Sequence, residues 1–405
     1  MKRISASWIA AALIVLGLSG MVSAQIRRGD IIIPKSGIAE PGDAGVKMHT
    51  TYQIYSPRGV KQDSSQPTGE TPASLGCVYG LVENPISGCP KATSTSNPTG
   101  GSGVIVLVDA FDYPTAAQDL ATFSTQFGLP APKFHQIYTG GVKPQVDCGW
   151  EGEEALDIEW AHAMAPDATI VLVESQTNFT GPLMAGVNTA NRIITNNGGK
   201  GEVSMSWQGG EFPHQRDLDL SAFTAPGVVY FASSGDRGGA VGWPSTSPNV
   251  VSAGGTSVNR DTSGNFTNET GWSGSGGGDS SIEPRPNYQD GIQNIVGSHR
   301  GTPDFSFDAN PFTGVSVYIS DPGCGAPGWQ TFGGTSVSSP ALAGVVNSTG
   351  SFRHTTRAEQ KLIYGNLGDS SIFTDITQGQ AGGNKAGPGW DFVTGVGTDV
   401  GKNGK

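Results

Sequence analysis

The apolar stretch Gly103-Val-Ile-Val-Leu-Val-Asp109 is the strongest indication of the fold, because it is short and uninterrupted by polar side chains. Such a run is typical of a strand that is buried on both faces of a parallel sheet. Amphipathic helices and further buried strands alternate downstream of it, which indicates repeated crossover units. The sequence therefore predicts an α/β fold: a doubly wound, mostly parallel sheet with helices on both faces.

The expected elements follow this first strand closely along the chain. We expect helices over residues 115–127, 153–164, 182–194 and 215–223, and strands over 169–174, 202–207, 227–233 and 249–253. Ligands of such sheets bind beyond the carboxyl ends of the strands. We therefore expect the functional residues in the segments that follow the strands.

The composition excludes several classes of protein. The 61 Gly and 26 Pro among 405 residues amount to about 21%, which indicates many tight turns but stays below the roughly 25–30% of low-complexity chains. Charged residues make up only 15% of the chain, so a coiled coil is excluded. The net charge is −11 and basic residues do not cluster, so we expect no nucleic-acid partner.

The N-terminus has the three parts of a secretory signal peptide. Lys2 and Arg3 provide a positive charge, residues 8–18 are apolar, and residues 22–24 are small. We therefore assign residues 1–24 to a signal peptide. No later stretch approaches the roughly 20 apolar residues that span a bilayer. We expect a secreted protein, extracellular or periplasmic, with no membrane attachment once the signal is removed.

An exported chain can form disulfides, and this one has four cysteines. Three pairings are possible. We favour Cys77–Cys89 as a local bond and Cys148–Cys324 as a long-range one. The spacings C-x-x-C and H-x-x-x-H do not occur, so a zinc site is not expected.

Residues 25–75 differ from the rest of the chain. They are polar, rich in turn residues and interrupted by prolines, and they lack sustained periodicity. We interpret them as a short, irregular and poorly ordered N-terminal arm. Residues 76–405 are assigned to a single domain.

The segment Phe332-Gly-Gly-Thr-Ser336-Val-Ser-Ser-Pro340 runs into a stretch of small residues that opens a helix. The glycines allow a sharp turn and close approach of another backbone. A serine at the start of a helix lies near unpaired N–H groups, which suits a nucleophile beside an oxyanion site. An ordinary helix cap explains the same residues, because Ser and Thr prefer that position.

A serine nucleophile needs a base, and the chain offers two kinds. Among the six histidines, only His162 is a serious candidate, and its setting is typical of packing. Carboxylates are the alternative. Glu153 and Asp157 are four residues apart, so they lie on one face of the expected helix and can share a proton. For an isolated pair of acids, a solvated helix N-terminus, which favours acids, is the better explanation.

The segment Phe231-Ala-Ser-Ser-Gly-Asp236-Arg-Gly238 directly follows a buried strand. Asp236 is therefore expected where active-site loops gather. A protonated aspartic acid can donate a hydrogen bond to an oxyanion. The alternative is an ordinary Gly-Asp turn.

These three segments, which follow one another along the chain with Glu153 and Asp157 first, Asp236 second and Ser336 last, resemble those of the sedolisin family, the serine-carboxyl peptidases with a subtilisin-like fold. The resemblance covers roughly residues 75–400, so the domain over 76–405 is interpreted as sedolisin-like. It implies that Ser336 is the nucleophile, Glu153 the base and Asp157 the partner of the base. It also implies that Asp236 belongs to the oxyanion hole, and it favours Glu153 over its neighbour Glu154.

Other features extend or weaken this resemblance. The Gly-rich run at 274–278 is expected to form a strand edge that binds substrate main chain. Some relatives have a longer acid where this chain has Asp109, which leaves a role for that residue in doubt. Many family members carry a large folded propeptide, and residues 25–75 are too short for one. The chain is thus expected to fold unaided, or its arm does part of that work.

The resemblance also implies one structural Ca²⁺. The family binds calcium with a pattern like Asp375-Ile376 followed by Gly387-Pro-Gly389-Trp-Asp391. The implied ligands are the carboxylates of Asp375 and Asp391 and the carbonyl oxygens of Ile376, Gly387 and Gly389. Such oxygen donors suit a hard cation.

The sequence thus predicts a monomeric, secreted serine-type endopeptidase that cleaves protein or peptide substrates in acid. A non-catalytic peptide-binding protein on the same scaffold is one alternative. An exopeptidase of the tripeptidyl type is another, because the sequence does not show whether the substrate groove is closed at one end. A histidine-based peptidase that uses His162 is the third.

Overall fold

The computed structural model describes residues 25–60, 64–91, 96–325 and 327–405, and the predicted signal peptide lies outside them. Within these ranges, no helix combines the length and the apolar character needed to cross a membrane. The α-helices are α1 Pro72–Val78, α2 Ala116–Phe127, α3 Cys148–Met164, α4 Thr180–Asn196, α5 Gln215–Ala222, α6 Gln293–Val296, α7 Thr335–Ser348 and α8 Thr356–Gly365. Short 3₁₀ turns occupy Lys35–Gly37, Thr139–Gly141 and Asn287–Ile292.

The strands are numbered in chain order. They are β1 Ile26–Arg28, β2 Ile31–Ile33, β3 His49–Thr50, β4 Gln53–Tyr55, β5 Val104–Ala110, β6 Lys133–Tyr138, β7 Thr169–Ser175, β8 Gly201–Met205, β9 Trp207–Gln208, β10 Val228–Ser233, β11 Val251–Arg260, β12 Phe266–Gly271, β13 Gly278–Pro284, β14 His299–Thr302, β15 Phe305–Asp308, β16 Val315–Ile319, β17 Gly328–Gly333, β18 Phe373–Thr374, β19 Gln380–Ala381, β20 Asn384–Lys385 and β21 Thr398–Asp399.

The central sheet has the order β18-β21-β15-β11-β10-β8-β5-β7-β6, with β12 paired to β11. Every pairing along the path is parallel except that of β18 with β21, and β12 is also antiparallel. The first predicted strand, β5, lies between β7 and β8, so the chain extends the sheet on both sides of it. The predicted doubly wound, mostly parallel sheet is confirmed.

Alternate side chains of β5 enter two different hydrophobic cores. Ile105 and Leu107 pack in the core that contains α2, α3 and α7. Val104, Val106 and Val108 pack in the core that contains α4. Because all five are at most 8% exposed, helices cover both faces of the sheet, as the uninterrupted apolar run indicates.

Small residues let the helices α3 and α7 approach closely. A Cβ atom added to Gly344 of α7 would lie 2.8 Å from Cβ of Met164 and 2.9 Å from the carbonyl oxygen of Ala161. A larger residue there would separate the helices. This packing holds the first turn of α7, with Ser336, against the first half of α3, with Glu153.

Two details of the chain differ from the prediction. Helix α3 begins five residues earlier than expected, because the side chain of Asp147 caps it by accepting the N–H groups of Gly149 and Trp150. The expected strand edge at 274–278 is wrong, since only Gly278 belongs to a strand. A Cβ on Gly276 would lie 2.1 Å from the carbonyl oxygen of Ser234, so this glycine serves close packing between backbones.

The N-terminal arm is irregular, as expected, but the prediction that it is poorly ordered is wrong. Strands β1, β2 and β4 continue a second sheet with β17 and β16, and β3 pairs with β9. Met48 and Tyr52 of the arm are buried. These strands are only two or three residues long, too short to produce a visible periodicity in the sequence. The arm is thus an integral part of the structure.

Both favoured disulfides are present, one local and one between segments far apart along the chain. Cys77 at the end of α1 bonds to Cys89, and Cys148 at the start of α3 bonds to Cys324. The predicted pairing is confirmed. The second bond connects the helix of the acids to the loop that precedes β17, the strand that leads to Ser336.

Candidate active site

The segments that the sequence singles out meet at the carboxyl edge of the central sheet. Asp109 lies near the end of β5, Ser206 directly follows β8, and Asp236 comes three residues after β10. The first turn of α7 and the first half of α3 pack over this edge. Crevices beyond the carboxyl ends of parallel strands are the usual place for ligands in this kind of sheet.

Ser336 is the second residue of α7, and a glycine turn precedes it. Gly334 has a φ of 105°, which favours glycine. A Cβ on Gly334 would lie 2.2 Å from the carbonyl oxygen of Thr51 and 2.6 Å from Oδ2 of Asp236. The glycine therefore allows the close backbone approach that the motif predicts, and the approaching backbone is that of the N-terminal arm.

Thr51 of the arm contacts the serine and one of the acids at once. Its N–H donates to Oε2 of Glu153 at 3.0 Å, and its carbonyl oxygen accepts the N–H of Ser336 at 3.1 Å. Its hydroxyl lies 2.8 Å from Oγ of Ser336, where either group can donate. Ser336 has no exposed surface in this arrangement. A single residue of the arm thus connects the expected base to the expected nucleophile.

The sequence prediction missed Thr51, although a weak signal is present. The run His49-Thr-Thr-Tyr-Gln-Ile-Tyr55 is rich in β-branched and aromatic residues, which favour strands. Its two strands are interrupted at Thr51 and Tyr52, where the chain crosses the site. The pattern is therefore shorter than a strand prediction needs.

Glu153 and Asp157 lie one turn apart on α3, and both are completely buried. Burial raises the pKa of Glu153 well above its ordinary value, and the interaction with the Ser336 hydroxyl opposes this rise. Burial also raises the pKa of Asp157, with further contributions from the charges of Asp109 and Glu153. The hydroxyl of Ser206 donates to Oδ1 of Asp157 at 2.7 Å. Burial and like charge thus both disfavour ionisation of these two acids, so they retain protons above the ordinary pH range of a carboxyl group.

Two further buried acids, Asp109 and Glu154, lie beside this pair. Asp109, whose role the sequence leaves in doubt, is buried close enough for its charge to raise the pKa of Glu153 and of Asp157. Burial raises the pKa of Glu154 as well, but neither of its carboxyl oxygens is hydrogen-bonded within the described part of the chain. Of the two adjacent glutamates, it is Glu153 that faces Ser336.

Asp236 lies on the other side of Ser336, where the backbone of Thr335 fixes its carboxyl group. The N–H of Thr335 donates to Oδ1 of Asp236 at 2.8 Å, and its hydroxyl donates to the same atom at 3.0 Å. Burial raises the pKa of Asp236 to about 7 against the effect of these hydrogen bonds. The group is therefore neutral in acid and can donate a hydrogen bond with its proton.

His162 is not part of this arrangement. The ring is buried, and its Nε2 bonds with the carbonyl oxygen of Pro130 at 3.1 Å. Burial lowers the pKa of His162 to about 4. The structure pairs Ser336 with Thr51 and the acid Glu153, and it gives the histidine alternative no contact with the serine.

The expected calcium ligands come together in one turn near the C-terminus. Oδ2 of Asp391 accepts the N–H of Gly387 at 3.0 Å, and Oδ2 of Asp375 accepts the N–H of Gly389 at 2.9 Å. Both carboxylates thus lie against the same short glycine turn, and Ile376 follows Asp375 directly. Two carboxylates beside one glycine turn are oxygen donors of the kind that suits a hard cation such as Ca²⁺.

Two cavities flank the arm where it crosses the site. One, of about 580 Å³, is lined by the start of α3, including Trp150 and Glu151. The other, of about 820 Å³, is lined by Gln208, Asp236 and residues 272–274. His49 and Tyr52 line both cavities. The arm therefore lies between two cavities that it helps to line.

Curated proteins similar to this chain are peptidases by name. Kumamolisin of Bacillus sp. (strain MN-32) is 30% identical over 390 aligned positions, which cover 84% of this chain and 64% of kumamolisin. Sedolisin of Pseudomonas sp. (strain 101) is 27% identical, with 82% and 63% covered. Tripeptidyl-peptidase 1 of Dictyostelium discoideum is 26% identical, with 85% and 61% covered. The chain thus spans less than two thirds of each of these relatives. No family model matches it.

Solved structures of similar fold are also peptidases. Pseudomonas sedolisin, described as a serine-carboxyl proteinase in complex with two molecules of pseudo-iodotyrostatin, superimposes with a TM-score of 0.67 at 23% identity. The alignment covers 83% of this chain and 96% of that one. Sphericase superimposes with a TM-score of 0.55 at 18% identity, with 82% and 99% covered. At these identities the two structures establish the fold alone.

Proposed function

We propose that the chain is a member of the sedolisin family and an exported serine-carboxyl peptidase that cuts internal peptide bonds in acid. One observation supports this most directly. The backbone N–H of Thr51 donates to Glu153, and the backbone carbonyl oxygen of Thr51 accepts the N–H of Ser336. Two groups with complementary chemistry therefore contact one extended backbone. The proposed substrates are proteins and peptides.

In the proposed reaction, Oγ of Ser336 attacks the carbonyl carbon of the bound peptide while Glu153 accepts the hydroxyl proton. Asp157 shares a proton with Glu153 and keeps that carboxyl group oriented. Glu153 then gives the proton to the leaving amine, and an acyl ester of Ser336 remains. Water hydrolyses the ester by the same route, with Glu153 again accepting and returning a proton.

Asp236 is proposed to stabilise the tetrahedral intermediate together with the N–H of Ser336. Asp236 must be protonated for this role, because an ionised carboxylate would repel the oxyanion. Burial raises the pKa of Asp236 to about 7, so the proton is present in acid and is lost as the pH rises through neutrality. The proposed activity is accordingly confined to acid.

The test compares Ser336→Ala with Ser338→Ala, a matched change two residues further along the same buried turn. Ser338 donates to the carbonyl oxygen of Phe307 and does not contact Thr51. We expect Ser336→Ala to lower cleavage of a denatured protein by about 10,000-fold or more between roughly pH 4 and 6. Ser338→Ala should retain activity within about threefold. Equal turnover by both variants would remove Ser336 from the mechanism.

The products of the same digest distinguish the alternatives. Two of the relatives are named tripeptidyl-peptidases, which favours an exopeptidase as the second candidate. Mass spectrometry of the products shows internal fragments for an endopeptidase and successive tripeptides for the second candidate. A digest without products at any pH is the result expected of a non-catalytic binding protein on this scaffold.

We also propose that the glycine turn near the C-terminus holds one Ca²⁺. Asp375 and Asp391 would supply carboxylates, and Ile376, Gly387 and Gly389 would supply carbonyl oxygens. The ion would join two loop segments and has no part in the chemistry. EDTA should lower the Tm by about 5 °C, and Asp391→Asn should lose this response.

The control for the calcium proposal is Asp261→Asn. Asp261 also accepts loop N–H groups, those of Ser263 and Asn265, but it lies in the turn between β11 and β12. This variant should keep the response to EDTA. A Tm that EDTA does not change in the unaltered protein would contradict the proposed site.

Export and a monomeric state complete the proposal. The two disulfides support export, because such bonds persist in oxidising compartments. The proposed site is built from the side chains of one chain, which supports a monomer. Recovery of the protein from outside the cytoplasm, and sedimentation at the mass of one chain, test these two statements.

A further inference from the structure

The disulfide between Cys148 and Cys324 lies beside a buried carboxyl group. A carboxyl oxygen of Glu151 and the two sulfur atoms lie within 4.8 Å of one another. Glu151 is only 1% exposed, and neither of its carboxyl oxygens has a hydrogen-bond partner within the described part of the chain. An acid without a partner thus lies next to a bond whose opening to two thiols consumes protons.

The surroundings of Glu151 keep its carboxyl group protonated. Burial raises the pKa of Glu151 to about 8, with further contributions from the charges of Asp321, Asp119 and Asp112. Its charge also acts on Glu154 of the same helix and on two buried phenols, those of Tyr52 and Tyr113. The other charged or titratable groups that line the same cavity are Lys35, Glu40, Lys47, His49 and Asp147. The carboxyl group can therefore donate a proton at neutral pH.

Cys148 is the more accessible residue of the disulfide. It is exposed, Cys324 is half-buried, and both line the cavity of about 580 Å³ together with Glu151. Cys148 is also the first residue of the 17-residue helix α3, where the helix dipole favours a thiolate. A small thiol can therefore approach the sulfur of Cys148, and Cys148 can leave as a thiolate later in the reaction.

The disulfide between Cys77 and Cys89 differs in each of these respects. Cys77 is only 5% exposed, and it lies near the end of α1, where the helix dipole disfavours a thiolate. Among the residues that the structure describes, no acid or histidine forms a comparable group with these two sulfur atoms. The same chain thus provides a matched control for the bond beside Glu151.

We propose that the Cys148–Cys324 bond is a site of reversible thiol–disulfide exchange with small aliphatic thiols, and that Glu151 is its proton donor. The thiolate of the first thiol attacks Sγ of Cys148 and forms a mixed disulfide. The electron pair of the broken bond goes to Sγ of Cys324, which takes the proton of Glu151.

A second small thiolate then attacks the small-thiol sulfur of the mixed disulfide. Cys148 leaves as a thiolate, and the two small thiols are released as their own disulfide. Two electrons thus pass from the thiols to the protein, and solvent returns a proton to Glu151. In the reverse direction the carboxylate of Glu151 accepts the proton of Cys324. This inference does not depend on the proposed peptidase activity.

The experiment treats the folded full chain with glutathione, blocks free thiols by alkylation and maps both bonds by mass spectrometry. At neutral pH we expect Cys148–Cys324 to open at least about 10-fold faster than Cys77–Cys89. The first glutathione adduct should lie on Cys148. Glu151→Gln should slow the opening of Cys148–Cys324 by about 10-fold and leave the rate at Cys77–Cys89 unchanged. Glu154→Gln, a matched change of the other buried acid, should leave both rates unchanged.

The pH dependence distinguishes a proton donor from a side chain that acts only through packing. Each rate is divided by the concentration of glutathione thiolate at that pH. In the unaltered protein the resulting rate constant should fall as the pH rises above about 8, because Glu151 loses its proton and its charge then repels thiolates. In Glu151→Gln it should stay constant over the same range.

Three results would overturn the proposal. Equal rates at the two bonds of the unaltered protein would show that exchange follows unfolding of the whole chain. A first adduct on Cys324 would contradict the direction of attack. An unaltered rate and pH profile in Glu151→Gln would exclude Glu151 as the proton donor.

A variant that does not fold, as judged by circular dichroism, leaves the proposal open to refutation. The unaltered protein then decides alone. A rate constant per thiolate that does not fall above about pH 8 would overturn the role of Glu151.

Discussion

The two sides of Ser336 use the same chemical group in opposite ways. On one side Glu153 and Asp157 are buried beside a third acid, Asp109, so burial and the repulsion between like charges raise the pKa of both. On the other side Asp236 is a single acid, and hydrogen bonds from Thr335 oppose the effect of its burial. Glu153 and Asp157 can give up a proton and take it back, whereas Asp236 keeps its proton in acid.

Burial alone therefore does not determine the role of a carboxyl group. Both sides have raised pKa values, but like charges surround the base, and donors surround the oxyanion acid. The rate should therefore rise with pH as the set on α3 loses a proton, and fall as Asp236 loses its own near pH 7. The two limbs of the pH profile report the two sides separately.

The largest effect on activity is expected when the proton acceptor on the base side of Ser336 is removed. Glu153→Gln keeps the shape of the side chain and an acceptor for the N–H of Thr51, but it cannot take a proton. We expect kcat/KM to fall by about 1,000-fold or more. Glu154→Gln, the adjacent buried acid without contact to Ser336, should fall by no more than about threefold. Equal losses in both variants would indicate a general sensitivity of α3 instead of a base at Glu153.

A smaller effect on activity is expected on the oxyanion side of Ser336, where Asp236 lies. Asp236→Asn keeps a hydrogen-bond donor at every pH, although a weaker one, so we expect kcat/KM in acid to fall by about 10- to 100-fold. The loss of activity near pH 7 should disappear, because the group that titrates there is gone. Rates across pH 4 to 9 measure both effects.

The control for this variant is another buried aspartic acid of similar pKa. Burial raises the pKa of Asp219 to about 7, but this group bonds with Nε1 of Trp243, away from Ser336. Asp219→Asn should leave the alkaline limb of the profile in place. If Asp236→Asn keeps that limb as well, its cause lies elsewhere.

The sequence predicts those features of the fold that several neighbouring residues specify together. The apolar run of β5 and the alternation after it predict the central sheet, because a buried strand needs several consecutive apolar residues. The glycines before Ser336 and the spacing of Glu153 and Asp157 predict where these residues lie, because local turn and helix geometry fix both. The sequence analysis also favoured the two disulfides that are present, one local and one long-range.

The arm could not be predicted in this way. Thr51 acts through its backbone N–H, its carbonyl oxygen and its hydroxyl, and the first two of these are present in almost every residue. Its position depends on pairings with Trp207 and Gly333, which are more than 150 residues away along the chain. Short strands of this kind are determined by tertiary contacts, which leave little trace in local composition.

The bond between Cys148 and Cys324 has a consequence for a protein that is exposed to peptidases. It closes a covalent ring over a sequence separation of 176 residues, which holds most of the central sheet and the segment with Glu153. A single break in the backbone anywhere within that ring leaves both pieces joined through the sulfur atoms. The helix that carries the acids and the helix that carries Ser336 would thus remain one molecule after the first accidental nick.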